Sequence, residues 1–276
     1  MKRRASGGAT RPPVDSDAQG DVPEAVDWEG QPVDCARCAH ASKRDRAPCQ
    51  IGHACVQDRY ARRVDRFFRW NPDAADAWLG HPYFEVRAIS VRHATIFRLT
   101  ALMTDPDETV RASVALRLPQ KMLVRMAKDP HREVRIRVAQ RLAPRLLTAL
   151  CCDDDYGVRT WVARRLPPQW LSRMAGDPDD QVRQEVARRV QPALLEQLAG
   201  DEDLVVRRLV AERAGAALLR RLAKDPAWEV RWEVARRADR ALAGHLAKDV
   251  EQEVRMAAGI RLAALGSAEP PQDCWP

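Results

Sequence analysis

The chain has 276 residues, 45% of them apolar and 31% charged, which are the values of a water-soluble protein. No stretch approaches the eighteen or so consecutive apolar residues of a membrane helix, so neither a membrane span nor a membrane partner is expected. The net charge of +7 is concentrated: residues 31–70 carry nine basic and four acidic groups, and a phosphate-bearing partner would be drawn there first.

The chain opens Met1-Lys2-Arg3-Arg4, but residues 5–13 bring no apolar core behind that charge, so the start reads as intracellular and cytoplasmic. Residues 1–30 are expected to be a flexible polar tail. Residues 31–70 hold Cys35, Cys38, Cys49 and Cys55, in the pattern C-x2-C-x10-C-x5-C. A pair two residues apart lets two thiolates converge on one metal centre from a single turn. The flanking sequence is polar and irregular, so a metal is its expected organiser. Structural zinc favours two closely spaced pairs, whereas an iron-sulfur cube tolerates irregular spacing, and the spacing alone leaves that choice open. His40 or His53 could replace a thiol. Arg37, Lys43, Arg44 and Arg46 would stabilise thiolates at either centre. Residues 56–70 are expected to form a helix that carries Phe67, Phe68 and Trp70 onto the first repeat beyond residue 70, with Arg59, Arg62, Arg63, Arg66 and Arg69 on its solvated side.

From residue 71 to 266 one unit of 24 residues recurs without insertion. A Val-Arg pair stands at 86, 110, 134, 158, 182, 206, 230 and 254, with further rows of Val, Ala and Leu at the same step. Fixed-period self-similarity marks a repeat array, in which no unit can bury enough apolar surface alone and stacking is obligatory. Asp-Pro, as at Asp105, Asp129, Asp177 and Asp225, suits a helix N-cap with proline in the first turn. Apolar residues at the valine and four and eight beyond it predict a helix of about three turns. Pro119, Pro144, Pro168 and Pro192 interrupt it, and a shorter or tighter helix comes next.

The arginine after each valine falls within the apolar arc of its helix and needs a partner. An aspartate six residues earlier (Asp105, Asp129, Asp153, Asp177, Asp201, Asp225, Asp249) predicts a structural Asp-Arg ladder. A second row, Arg117, Arg141, Arg165, Arg189, Arg213, Arg237 and Arg261, lies at the stripe's edge and is expected to be freer. Trp161 and Trp232 are expected to cover neighbouring helices. Cys151 reads as a small buried apolar residue, Cys152 as a turn residue, and Cys274 as part of a loose C-terminal tail over 267–276. His81-Pro82 at the front and Ala258-Gly259 at the back read as end caps.

The four-cysteine cluster followed by units such as DPHREVRIRVAQRLAPRLLTAL at 129–150 closely resembles the leucine-rich repeat variant family. The resemblance covers about Cys35 to Leu265. It implies an all-α fold, with α and 3-10 helices alternating in a right-handed superhelical solenoid of about eight units. It also implies a [4Fe-4S] cluster on Cys35, Cys38, Cys49 and Cys55, with zinc the alternative. Departures at His81, Asp154, Glu202 and Val250 touch capping only.

No phosphate-binding loop, dinucleotide fingerprint, nucleophile elbow or paired metal histidines occur, so no catalytic residue is assigned and a non-enzyme is expected. The leading expectation is an interaction scaffold for a protein partner, with a structural or redox-sensing cluster. Nucleic-acid binding through residues 31–70 and the second arginine row is the alternative, and electron transfer the third.

Overall fold

The computed structural model describes residues 25–44 and 48–266. Most of the tail expected over 1–30, Arg46, Cys274 and the tail over 267–276 therefore lie outside the described residues. The chain divides into two compact units, residues 1–138 and 139–276.

The first unit begins with a cap of turns and isolated bridges, pairing Val26 with Pro32, Arg44 with Cys49, and Gln50 with Ala54. Residues 25–30, placed with the tail by composition, belong to this cap. Asp27 accepts the amides of Glu29 and Gln31, and the Trp28 ring stacks on Tyr83 at 6.3 Å. Then come α1 (Ala61–Trp70), a 3-10 helix (Pro72–Trp78), α2 (Phe84–His93), a 3-10 helix (Ile96–Thr104) and α3 (Glu108–Ala115). A short α4 (Gln120–Leu123) runs into a 3-10 turn (Val124–Lys128), and the boundary after residue 138 falls within the next helix, α5 (Arg132–Arg141).

The helix expected over 56–70 starts five residues late. Asp58, fully buried, accepts the Tyr60 amide at 2.9 Å and the Arg63 guanidinium at 2.7 Å, which fixes a turn where the helix would have begun. Arg63 is consequently buried, not solvated. Phe67 and Phe68 are fully buried with their rings edge to face at 5.4 Å, Phe67 against His40 and Phe68 against His93 of α2. Trp70 packs on His53 in the cap, not on the first repeat.

The second unit alternates 3-10 helices (Pro144–Leu150, Pro168–Met174, Pro192–Leu198) with α6 (Tyr156–Arg165), α7 (Asp180–Arg189) and α8 (Leu204–Arg213). It continues with α9 (Ala216–Leu222), α10 (Trp228–Arg237), α11 (Arg240–Leu246) and α12 (Gln252–Gly266). The 3-10 segments of this unit each open with proline. The two short segments without it are α-helices, rich in good helix formers, and Asp239 caps one of them by accepting the Leu242 amide. Among the described residues no strand is formed, so the all-α repeat architecture stands. The valine rows and Leu123, Leu147, Leu171 and Leu195 are fully buried. They form the apolar interior for which no single unit has enough surface.

Two expectations about the polar rows change. The helix caps are Asp107, Asp155, Asp179 and Asp203, two residues after the repeat aspartate. Asp105, Asp129, Asp153, Asp177, Asp201, Asp225 and Asp249 instead accept the amide two residues on, at 2.9 to 3.0 Å. At the front, His81 fills the same role through Nδ1, which accepts the Tyr83 amide at 3.1 Å.

The ladder also runs to a different partner. Arg111 grips the carboxylate of Asp129, eighteen residues ahead in the next repeat, with Nε and Nη2 at 2.8 and 3.1 Å. Its Nη1 donates to the carbonyl of Asp105 in its own repeat at 2.7 Å. Arg87, Arg159, Arg183, Arg207 and Arg231 do the same toward Asp105, Asp177, Asp201, Asp225 and Asp249. These carboxylate bonds raise the pKa of each ladder arginine against the opposing effect of burial.

The second row reaches backward. Arg117 donates to Val91 O and Ala94 O, Arg165 to Ala139 O and Leu142 O, and Arg213 to Ala187 O and Val190 O. Arg189, Arg237 and Arg261 make the corresponding bonds to Ala163 O, Ala211 O and Ala238 O. A helix leaves its last carbonyls unpaired, and a cation there meets the negative end of its dipole. These arginines are clamps on the preceding helix rather than free anion contacts.

Candidate metal-thiolate centre

The cap folds so that four thiols share one wall. A turn closed by the Cys38 amide on Cys35 O at 3.3 Å carries the first pair. Cys49 and Cys55 lie on the bridged segment that returns toward α1, and both are buried, while Cys35 and Cys38 are partly exposed. Gly52, with φ of 73°, turns the chain between them in the left-handed region that glycine enters without a steric penalty.

Cys35, Cys38, Cys49 and Cys55 line a single small cavity, together with Val33, His40, Ala41, Arg44, Val56 and Gln57. The space is narrow, a cavity of about 10 Å³. Among the described residues no group of three or more Cys, His, Asp or Glu side chains is arranged around a point where a metal ion would sit. The thiols share a wall without forming a coordination sphere. The donor set nonetheless fits a thiolate-ligated group: four cysteines on one cavity that a basic residue, Arg44, also lines.

Backbone amides serve two of the sulfurs. The His40 amide donates to Cys38 Sγ at 3.4 Å, and the Gln57 amide bonds Cys55. Burial pushes the Cys55 thiol up to about 12, against the opposing pull of that amide; the neighbouring thiols of Cys49 and Cys35 and the Asp58 carboxylate push the same way as burial.

The histidines weighed as replacement ligands are already used by the protein. His40 Nε2 accepts the Trp78 indole N–H at 3.1 Å, and burial lowers its pKa. His53 Nδ1 lies 2.9 Å from Arg66 Nη1, which also donates to His53 O. Of the cations thought to flank the thiols, Arg37 is exposed beside Asp34, Lys43 donates to Asn71 Oδ1 at 3.0 Å, and Arg44 lines the cavity.

Sequence reasoning missed the residue that ties this loop down. Asn71, buried at the end of α1, donates through Nδ2 to Pro48 O at 2.6 Å and to Phe67 O at 2.9 Å, while its Oδ1 holds Lys43. The Asn-Pro step at the close of a helical pattern was the available signal. Outside the cap, Cys151 is half-buried, with its thiol toward Leu147 O and its pKa raised by burial, and Cys152 is exposed. Trp161 and Trp232 are half-buried under cations, Arg164 and Arg236, at 5.2 and 4.8 Å.

Fold and site together define a helical repeat protein with a four-cysteine cap. Residues 25–77 match the family model described as LRV protein FeS4 cluster, and residues 156–179 match the leucine rich repeat variant model. A solved leucine-rich repeat variant, described as having a novel repetitive structural motif, is 40% identical, with a TM-score of 0.79 over 83% of this chain and 99% of its own. The chain belongs to the leucine-rich repeat variant family. A curated relative, an uncharacterized 27.7 kDa protein in the nifB 3' region of Rhodobacter capsulatus, is 46% identical over 97 residues. That match covers 35% of this chain and 40% of the relative's length. Among the described residues no helix is long and apolar enough to cross a membrane.

Proposed function

We propose that the cap holds a [4Fe-4S] cluster on Cys35, Cys38, Cys49 and Cys55, and that the repeats are a non-catalytic scaffold for a protein partner in the cytoplasm. The observation that carries the reading is that these four cysteines line one small cavity in the cap that precedes the repeats. When bound, such a cluster supplies one-electron storage, and four thiolates leave its irons no open site for substrate. The protein's part is to hold the sulfurs: Asn71 ties the loop to α1, the His40 amide donates to one thiol and Arg44 offsets their charge. Trp78, through His40, joins the cap to the 3-10 helix Pro72–Trp78 at the start of the repeat region, a route by which a change at the thiols would be felt there.

Anaerobic purification with iron, sulfide and zinc analysis and spin-resonance spectra tests the cofactor. About four irons and four sulfides per chain, lost in Cys49→Ser and Cys55→Ser, support it; stoichiometric zinc without sulfide overturns it. For the scaffold, anaerobic capture of a protein partner that is lost on changing exposed repeat residues supports the reading.

Nucleic-acid binding keeps one supporting observation, the exposed Arg37, Arg59, Arg62 and Arg69 of the basic segment. The second arginine row no longer supports it, since those guanidinium groups are spent on carbonyls. DNA or RNA binding at low salt with a steep salt dependence would favour it.

A further inference from the structure

The repeat frame singles out one pair of residues that the fold itself does not ask for. Immediately before the ladder aspartate, five repeats carry an alanine followed by glycine or lysine: Ala127-Lys128, Ala175-Gly176, Ala199-Gly200, Ala223-Lys224 and Ala247-Lys248. The repeat between the first two carries Cys151-Cys152. Cys151 has the same right-handed helical backbone as Ala175, Ala199, Ala223 and Ala247, so alanine satisfies that place and the sulfur is not needed to complete the core.

The two thiols are unequally placed. Cys151 is half-buried, its Sγ 3.8 Å from Leu147 O, while Cys152 is exposed. Burial raises the pKa of the Cys151 thiol, the Cys152 thiol adds to that, and the Arg173 guanidinium opposes it. The thiolate, not the thiol, is the nucleophile in exchange, so the outer sulfur is the first to react and the inner one stands beside it to resolve the product. Both belong to the second unit, whereas the four cap cysteines belong to the first.

We propose that Cys151 and Cys152 form a reversible dithiol site, at which a low-molecular-weight disulfide is reduced and the pair closes into a disulfide between neighbouring residues. Cys152 Sγ, as the thiolate, bonds one sulfur of the reagent, whose S–S bond breaks and releases one thiolate. Cys151 Sγ, on losing its proton, then bonds Cys152 Sγ and expels the second thiolate. Two electrons pass from the pair to the reagent, and the two cysteine protons end on the two released thiols. Neighbours across a trans peptide hold their Cα atoms about 3.8 Å apart, short of the roughly 4.4 Å at which ordinary disulfides begin. The closed ring is therefore strained and reopens readily in excess thiol. It closes on the turn that delivers Asp153, whose carboxylate accepts the Asp155 amide at 2.9 Å and whose carbonyl accepts from Arg159 at 2.7 Å.

The test uses the full chain, reduced, treated with oxidised glutathione, alkylated, and cleaved after lysine and arginine. Residues 146–159 then leave as one peptide whose only thiols are those of Cys151 and Cys152. In the wild type this peptide is expected to be unalkylated and lighter by two hydrogen atoms, and to be alkylated at both sulfurs when excess thiol precedes the alkylation. Cys151→Ala and Cys152→Gly each install a sibling repeat's residue, so both keep the fold. Cys151→Ala is expected to stop at a glutathione adduct on Cys152, and Cys152→Gly to react roughly tenfold more slowly than the wild type. A wild-type peptide that stays doubly alkylated, or that keeps the adduct as Cys151→Ala does, would overturn the proposal. So would a cross-link from either cysteine to another peptide, or equal rates in Cys152→Gly and the wild type.

Discussion

Arg159 holds Asp177 through two parallel hydrogen bonds, Nε to Oδ2 at 2.8 Å and Nη2 to Oδ1 at 2.9 Å, with both side chains nearly shielded from water. The bond crosses from one repeat to the next, and Nη1 of the same arginine secures the Asp153 and Asp154 carbonyls behind it. Breaking one side of such a pair leaves a buried charge without compensation. Arg159→Met and Asp177→Asn are each expected to cost about 3 kcal/mol in urea unfolding, and the double variant clearly less than the sum. Strict additivity would show that the two side chains do not act as a pair.

The backward clamp predicts a different signature. Arg213 reaches two carbonyls at once, Ala187 O and Val190 O, both at 2.6 Å. Lysine keeps the charge but cannot fork across both. Arg213→Lys is expected to lose about 1–2 kcal/mol, nearly as much as Arg213→Met. In both, exchange should quicken in the last turn of α7, one repeat away from the substitution.

Acid should loosen the last ladder joint. The Arg231 bond holds Asp249 below its ordinary value of 3.8, against the opposing effect of burial, with the Glu251 amide assisting. A carboxylate depressed in the folded state contributes in full above its unfolded pKa and loses that contribution as pH falls through the folded one. The stability difference between the wild type and Asp249→Asn is therefore expected to be flat from pH 7 to 5 and to shrink below 3.8. A gap that widened in acid would contradict the assignment.

Core and surface positions within one unit should separate sharply. Leu195 is fully buried, and Leu195→Ala is expected to cost about 2–5 kcal/mol, depending on how far the site collapses. Val250 is 84% exposed, and Val250→Ser should stay within about 0.5 kcal/mol. Calorimetry on the pair gives the contrast directly.

The repeat period, the valine faces and the four ligand candidates were legible because they are patterns of side-chain type at fixed intervals. The partners of the arginines were not. Asp105 is nearer to Arg111 in sequence, and a six-residue step looks local, yet the bidentate bond goes to Asp129 because the side chain points along the stack rather than down its own helix. The second row looked free for a related reason: its partners, such as Val91 O for Arg117, are backbone carbonyls. Every residue has one, so composition cannot mark which are left exposed by a helix end. In the cap, the pattern of Val64, Phe67 and Phe68 announced α1, but the early break depended on burial of Asp58, a residue type normally assigned to the surface.

One row of guanidinium groups points forward to an aspartate and the other points back to carbonyls, and both bonds bridge consecutive modules inside each unit. A gene that gains or loses a whole block of 24 codons, cut at any phase, delivers matching hands to both neighbours. A block that is not a whole number of modules leaves at least one charged side chain with nothing to grasp. Array length can therefore change over generations in whole modules without remaking the contacts that hold them.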